Sequence, residues 1–435
     1  MGEQANPADT TDYLMPTMTA AVGGYSEGTN PDYLGIPTKI GSIEHRSDIF
    51  RAINLIRNEW YRDENLQNSV VVDMGDGPDD PNDYISLLPR GKRKDYFTSA
   101  LPWAQKGDPV TIPLGTQAPI TGIGKLNQTY VSGSTNVYET DGTGTTNYAS
   151  ATIIQGSAGA NNSVYIEQDP NNAGFPNMRA DLSNASAQTI NMLREAFQIQ
   201  KMYERDARGG TRYIEMNYAH FGVMSPDQRL QRPEYLGGGT TNLNVNPIAQ
   251  QSETGTTPQG NLAAMGTFAS HGKGFIKSFT EHEIVIGFVS ARADLTYQQG
   301  LNRMWSRSTR FDHYFPSFAH LGEQAILNKE IYMDGSANDD LVFGYQERYA
   351  EYRYKPSLIT GLFRSNATAS LDVWHLSQDF SALPALNSTF IEENPPIDRV
   401  VAVPSEPDFI LDCYFNFRCT RPMPTFAIPG LIDHF

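Results

Sequence analysis

Residues 409–418 read FILDCYFNFR. Phe409, Leu411, Cys413, Phe415 and Phe417 fall on one side of an extended chain, and Asp412, Asn416 and Arg418 on the other, because successive strand side chains point to opposite faces. This is the pattern of a half-buried antiparallel strand. Working outward, strand readings extend to Phe275 to Phe279, Glu281 to Arg292, the aromatic run Tyr345 to Tyr354, and Leu371 to Leu376. After the decisive strand the chain closes with TRPMPTFAIPGLIDHF, whose prolines block both helix and central strand and predict an extended arm.

Helical periodicity is rarer. Ile49, Ile53, Ile56 and Trp60 recur at i, i+4, i+7 and i+11 behind Ser47 and Asp48, which suit an N-cap and a first turn, so a helix with one buried face is expected there. A second helix carries Ile190, Leu193 and Phe197 on one face and is stopped by Gly209 and Gly210. Between the two, from about 107 to 190, only eight residues are charged, while Gly, Asn, Ser and Thr supply nearly half. Tyr130, Tyr138, Tyr148, Tyr165 and Phe175 punctuate this stretch, which predicts a polar excursion with some β-structure rather than plain disorder. Another small-residue stretch runs from Gly237 to Gly274, and no fixed-period repeat is present.

The chain has 435 residues, with 33 Lys+Arg against 49 Asp+Glu and a formal charge of −16, which excludes a basic nucleic-acid binder of the ordinary kind. Hydrophobic residues at 39% and charged ones at 19%, with 37 Gly and 27 Pro, describe a loop-rich protein. No apolar run reaches the roughly 18 to 20 residues of a membrane span, and MGEQANPADTTDYL has neither the basic nor the apolar region of a signal peptide. Gly2 is followed by Asn6 where myristoylation needs Ser or Thr. A soluble, unsecreted protein is expected. Cys413 and Cys419 are six strand positions apart, or roughly 20 Å at about 3.3 Å each. That is beyond the ~7 Å a disulfide spans, so a reducing compartment is the simpler reading.

Catalytic signatures are missing. Gly122-Ile123-Gly124-Lys125 is not a P-loop, since Pro119 and Leu126 occupy the positions of the first Gly and of Ser/Thr. There is no GxSxG, HExxH or paired CxxC. His282 lies between Glu281 and Glu283, which a strand would turn to the opposite face, and reads as a strand histidine rather than a metal ligand. Asp73, Asp76, Asp79, Asp80 and Asp83 form an acidic loop that could hold a cation such as Ca²⁺, but Gly75 and Gly77 break EF-hand spacing and a solvated turn is the simpler reading. Glu392 and Glu393 could mimic glycosidase carboxylates, although sequence cannot set them opposite each other. Arg90, Lys92, Arg93 and Lys94 could neutralise phosphates or make a turn or subunit contact. Tyr345, Tyr349, Tyr352 and Tyr354, with Arg348, Arg353 and Lys355, could stack bases but read better as core and interface. The sequon Asn366-Ala-Thr368 carries no meaning without secretion.

Several long segments are familiar. LPRGKRKDYFTSALPWAQKGDPVTIPLG at 88–115, LREAFQIQKMYERDARGGTRYIEMNYAHFGVMSPDQRLQRPEYLGG at 193–238, and FGYQERYAEYRYKPSLITGLFRS at 343–365 resemble the major capsid proteins of the Microviridae, specifically of gokushoviruses. So do LDVWHLSQDF at 371–380, FIEENPPIDRVVAV at 390–403, and the ending RPMPTFAIPGLIDHF. Members of that family usually carry a segment ahead of this starting point, so Met1 is expected to correspond to an internal methionine.

The resemblance implies a mostly β fold, an eight-stranded antiparallel jelly roll with long, partly helical loop insertions. It divides the chain into 1–114, the first part of the jelly roll with a loop helix; 115–186, an insertion forming a threefold surface protrusion; and 187–435, the remaining jelly roll with its Pro-rich arm. It implies a non-enzymatic protein without cofactors, sixty copies of which close a small T=1 icosahedral shell around circular single-stranded DNA. The expected partners are an internal scaffolding protein, a minor or pilot capsid protein, a small basic DNA-binding protein that offsets the acidic shell, and a host surface receptor. Assembly in the bacterial cytoplasm, residence in the virion and no membrane insertion complete the expectation. Arg90, Lys92, Arg93 and Lys94 are the candidates for the inner, DNA-facing surface, and Tyr130, Tyr138, Tyr148, Tyr165 and Phe175 for host recognition. The competing reading is a β-sandwich carbohydrate-binding adhesin or glycoside-active enzyme.

Overall fold

The first long helix begins where Ser47 and Asp48 place it, but it buries a different face. The computed structural model describes residues 15–111, 120–121, 137–138, 145–146, 179–180, 190–249, 251–253, 255, 262–401, 403 and 405–421. In chain order come β1 (Thr17–Thr19), α1 (Asn30–Tyr33), β2 (Glu44–Arg46) and α2 (Asp48–Ile56), which runs on into a π-type turn over Arg57–Tyr61. β1 and β2 pair antiparallel, with Thr17 opposite Arg46. Ser47 does not cap α2 with its side chain. Its hydroxyl donates instead to Asp79 Oδ2 at 2.6 Å. The buried stripe is Phe50, Ile53, Asn54, Arg57 and Asn58, while Trp60 is exposed. Asn54 Nδ2 donates to the carbonyls of Val71 (2.9 Å) and Asp83 (3.0 Å), and Asn58 Nδ2 to that of Val70 (2.9 Å). A hydropathy pattern counts these amides as surface, yet they hold the acidic loop on the helix. Phe50 and Ile53 join Met18, Ala20, Tyr25 and Tyr84 in one apolar cluster.

Within the polar excursion, β3 (Ile120–Thr121) pairs with β6 (Arg179–Ala180), and β4 (Val137–Tyr138) with β5 (Thr145–Thr146). Next come α3 (Ile190–Gly209) and α4 (Tyr213–Phe221). The double glycine ends α3 as expected, with Gly210 at a φ of 103°. A Cβ on Gly209 would lie 2.5 Å from Ala219 Cβ, so the α3–α4 hairpin closes only over a residue without a side chain. The expected inner face of α3 is not inner: Ile190, Leu193 and Phe197 are exposed, and the buried residue is Ala207. The second half of α3 meets other segments through Gln200 on Gln105, the Lys106 N–H on the Tyr203 carbonyl (3.2 Å) and Arg208 on Glu323.

β7 (Asn244–Ala249) and β8 (Leu262–Thr267) form a hairpin, and β9 (Glu323–Leu327) leads through α5 (Asn328–Ile331) to its partner β10 (Val342–Glu347). β9, α5, β10 and α6 (Ser388–Ile391) contribute Ile326, Ile331, Phe343 and Phe390 to the larger core, which also holds Tyr96, Phe97, Ala100 and Ala350. The core is aromatic: Tyr96 stacks on Tyr354 at 5.2 Å, and Phe97 meets Tyr297 edge-on at 4.9 Å. Gly344 lets β10 pass close to this core, since a Cβ there would stand 3.1 Å from Ala100 Cβ and 2.9 Å from Leu386 Cδ2, and both would have to shift.

The described residues are mostly non-helical, with small two-stranded antiparallel sheets. Several expected strands are not among them. Phe275 to Phe279, Glu281 to Arg292 and Phe409 to Arg418 form no backbone ladder among the described residues, and Ile276, Val289, Ile410, Tyr414, Phe415 and Phe417 are exposed. Leu371 to Leu376 holds a 3₁₀ turn over Asp372–Trp374. Tyr345 to Tyr354 is a strand only as far as Glu347, after which Tyr349 takes a φ of 66° and Ala350–Tyr352 turns. Alternation tells which face needs covering, whereas a ladder needs a partner in register, and a lone strand has none. Among the described residues no helix is long and apolar enough to cross a membrane.

Candidate functional site

Arg90, Lys92, Arg93 and Lys94 lie where three segments meet. The Gly91 N–H donates to the Tyr61 carbonyl (2.8 Å), the Lys92 N–H to that of Ile391 (2.6 Å), and the Glu393 N–H to that of Arg90 (2.9 Å), so this strip joins the end of α2 to the end of α6. The four cations then diverge. Arg90 sits over the Tyr61 ring at 5.3 Å and donates to Ser290 Oγ (2.8 Å). Lys92 is buried, donates its ammonium to the Phe390 carbonyl at 2.6 Å and lies 4.7 Å from the Phe390 ring. Burial pulls its pKa down. Lys94 pairs with Asp63, and Arg93 reaches Asp294 at 3.5 Å with most of its side chain in solvent. Lys92 is thus engaged inside the subunit, while Arg93 and Lys94 pair but keep most of their side chains in solvent. Lys92→Met leaves a buried carbonyl without its donor and lowers stability by about 1–3 kcal/mol, read as a lower urea midpoint of the full chain.

The acidic loop does not converge. Asp79 is buried and accepts from Ser47 and from both Arg51 Nε (2.7 Å) and Nη2 (2.5 Å); the Arg51 guanidinium beside it holds its carboxyl below the usual range. Asp73 Oδ2 accepts from the Tyr84 hydroxyl at 2.8 Å, and burial pushes that phenol up to about 12. Asp80 caps the short turn Pro81–Asp83 by accepting from the Asn82 N–H at 2.9 Å. Asp76 and Asp83 are exposed. Each carboxylate has its own surroundings, and among the described residues no three metal-ligating side chains come together.

The remaining candidates also resolve into structure. Glu281, His282 and Glu283 are exposed, outside any ladder. Glu392 accepts from Ser388 Oγ (3.1 Å), while burial raises the pKa of its neighbour Glu393. Cys413 and Cys419 are free, exposed thiols. Tyr349 and Tyr354 pack inward and Tyr352 outward. Tyr130, Tyr148, Tyr165 and Phe175 lie outside the described residues, and Tyr138 is described only as a backbone position of β4. Sequence reasoning missed Glu330, which is buried beneath the aromatic core. It accepts from the Tyr96 hydroxyl, Arg303 Nη1 and the Leu327 N–H, each at 3.0 Å, and burial raises its pKa. Its sequence signal is position: three residues past Leu327, its carboxylate accepts from the Leu327 N–H at the head of α5.

Among the described residues, the charged side chains considered above act as joints between segments rather than as a nucleophile, a base and an oxyanion site. Comparison with known proteins gives the geometry its context. A model of the capsid protein (F protein) family matches residues 1–431. The chain belongs to this capsid protein family. It is 50% identical over 443 residues to the capsid protein VP1 of Bdellovibrio phage phiMH2K, covering 100% of this chain and 82% of that one. Identity to the capsid protein VP1 of Chlamydia phage 1 is 46% over 489 residues, covering 98% of this chain and 81% of the other. For that of Spiroplasma virus 4 the figures are 37% over 443 residues, with 96% and 79% covered. As a capsid protein the chain is structural and not an enzyme. The adhesin or glycosidase reading is not favoured.

Proposed function

We propose that sixty copies of this capsid protein close a small T=1 icosahedral shell around circular single-stranded DNA, with residues 115–186 rising at the threefold axes to meet the host surface. The carrying observation is the family match over residues 1–431. Closed point-group packing of one chain type gives every subunit contacts on several sides. The open apolar side chains at 275–292 and 409–418 fit a protein that completes its burial only in a finished jelly roll and assembled shell. An eight-stranded jelly roll accommodates those segments as paired strands, over the divisions 1–114 and 187–435.

β3 and β6 support the assignment of the protrusion. Ile120 stands opposite Ala180 and Thr121 opposite Arg179, so the excursion leaves and returns at one place. Tyr130, Tyr138, Tyr148, Tyr165 and Phe175 are its recognition candidates. A formal charge of −16 repels a polyphosphate, which favours a small basic protein accompanying the genome. An internal scaffolding protein and a minor or pilot protein complete the assembly, which forms in the bacterial cytoplasm and ends as the virion. Of the four basic candidates at 90–94, Arg93 and Lys94 keep most of their side chains in solvent while pairing with Asp294 and Asp63, and these two are the ones the DNA could reach.

Negative-stain electron microscopy with sedimentation of the full chain, with and without the scaffolding protein, tests the reading. Uniform closed particles are expected. Small monodisperse species under both conditions overturn it.

A further inference from the structure

The α3–α4 hairpin buries little apolar surface: α4 has no buried residue and α3 only Ala207. Its hold on the end of α2 is polar and centres on one guanidinium. Arg212 Nη2 donates to the carbonyls of Asn58 (2.9 Å) and Arg62 (3.3 Å). Arg212 Nη1 stands 3.5 Å from Glu64 Oε2 and 3.4 Å from Glu215 Oε1, so one cation faces two carboxyls, one from each side of the joint. The Thr211 N–H donates to Glu64 Oε1 (3.0 Å) and the Arg212 N–H to Glu215 Oε2 (3.2 Å). A Cβ on Gly210 would strike the Glu215 carboxyl, so the turn between the helices is shaped around that group.

With both carboxyls ionised, the charges at this joint do not balance. Arg212 also approaches Glu59 at 3.8 Å, but Arg232 holds Glu59 at 2.8 Å. The other charged groups nearby are committed elsewhere: Lys94 to Asp63, Arg208 to Glu323, Arg353 to Glu347, and Arg62 to the Gln67 carbonyl. Asp95 accepts from the N–H groups of Phe97 and Thr98, and Asp206 pairs with His220 across the hairpin. Glu64 Oε2 is buried, and no N–H or hydroxyl donates to it. The group placed to do so is the Glu215 carboxyl that meets it, provided that one proton lies between the two. A carboxyl pair sharing one proton carries a single negative charge, which Arg212 matches. The fully ionised pair sets two like charges in contact.

We propose that Glu64 and Glu215 share one proton that latches the α3–α4 hairpin to the end of α2, and that the hairpin swings free as rising pH removes it. The proton leaves to water through the cavity of about 650 Å³ that both glutamates line. Burial, then the Glu64 carboxyl, raise the pKa of Glu215. Burial opposes ionisation of Glu64 as well, but hydrogen bonds from Glu215 and Thr211 outweigh it and hold its pKa low. The Glu215 contribution is complete below its unfolded value of about 4.3 and is lost as pH rises through the folded one. That of Glu64 is complete above about 4.3 and is lost as pH falls through its folded pKa, so the latch holds in the window between the two. It belongs to the single chain and does not depend on the shell. α3 follows the excursion in sequence, so release of the hairpin alters the footing of 115–186.

Limited proteolysis of the full chain between about pH 5 and 9, with rates normalised to an unfolded reference peptide, reads the open population of the hairpin. In the parent, cleavage near Gly209 and Gly210 is expected to rise about tenfold per pH unit once Glu215 ionises, the slope of a single proton. Glu215→Gln keeps a donor for Glu64 and removes the second charge, so its cleavage stays at the low parent level across the range. Glu64→Gln flattens the alkaline rise as well. Infrared difference spectra of the parent show a protonated carboxyl that disappears over the same pH range and is absent from Glu215→Gln. A parent profile without the rise, a parent with no such carboxyl in its spectra, or the same rise in Glu215→Gln overturns the latch. If Glu215→Gln does not fold, the parent's infrared titration and the Glu64→Gln profile decide in its place.

Discussion

Excising residues 120–184 and bridging the gap with a short Gly/Ser linker leaves particle assembly intact and abolishes attachment to the host cell. The segments flanking the excursion hold each other without it. Gln105 and Gln200 are hydrogen-bonded side chain to side chain, and the Lys106 N–H donates to the Tyr203 carbonyl at 3.2 Å. Lys106 also lies 4.8 Å from the Trp103 ring, which fixes the chain just before the departure point. The β3–β6 pair shows that the two ends of the excursion already meet, so a short bridge spans them. Shortening a loop whose ends are close changes its closure entropy only as the logarithm of its length, a small term beside the cores at Phe97 and Phe50. Particles counted by negative stain, with adsorption to host cells measured on the same preparation, give the two readouts. Normal adsorption by the deletion sinks the recognition role of 115–186, and loss of particles sinks its independence from the shell.

What the sequence made legible was punctuation. Ser47 and Asp48 marked the start of α2, and the pair Gly209 and Gly210 marked the end of α3, because each of these is a local backbone requirement. Faces were less legible. The stripe Ile49, Ile53, Ile56 and Trp60 omitted Asn54 and Asn58, whose burial depends on loop carbonyls brought from Val70, Val71 and Asp83. Lys92 and Glu330 were invisible as core residues for the same reason: a charged side chain is tolerated inside only when distant groups satisfy it, here the Phe390 carbonyl and the trio of Tyr96, Arg303 and Leu327. α4 was missed although Gly222, left-handed at its end with a φ of 67°, was a readable stop. The segment 409–418 illustrates the opposite limit, since its alternation is plain, a strand partner is not encoded within it, and among the described residues it pairs with none. Function became legible at another level, through long segments in fixed order rather than through any constellation of reactive groups.

Asp79→Ala lowers the stability of the isolated chain by about 3–5 kcal/mol, the largest effect expected of a single substitution here. The Asp79 side chain is only 2% exposed and Arg51 is 13% exposed, so the variant leaves a guanidinium with little water and no counter-charge. Three ties fail together: the two bonds from Arg51 and the one from Ser47 at the head of α2. The loss propagates because the Asp79 N–H holds the Thr17 carbonyl at 2.7 Å, beside the Met18 that packs with Tyr25, Phe50, Ile53 and Tyr84. Asp79→Asn keeps the shape but loses the charge, and falls between the parent and the alanine variant. The pH dependence has a definite sign. Arg51, then Ser47, hold the folded carboxyl below its unfolded value of about 4, so its stabilisation is fully present above that value and is lost as pH falls through the folded pKa. Glu330 has the opposite sign, since burial raises its pKa and its contribution fades as pH rises through the folded value. Urea midpoints between about pH 3 and 8 therefore separate the two groups, because Asp79→Ala flattens the acid limb and leaves the alkaline limb in place. A neutral-pH midpoint equal to the parent's, or an acid limb unchanged by the substitution, would show that the Arg51–Asp79–Ser47 joint is not what secures α2 to β1.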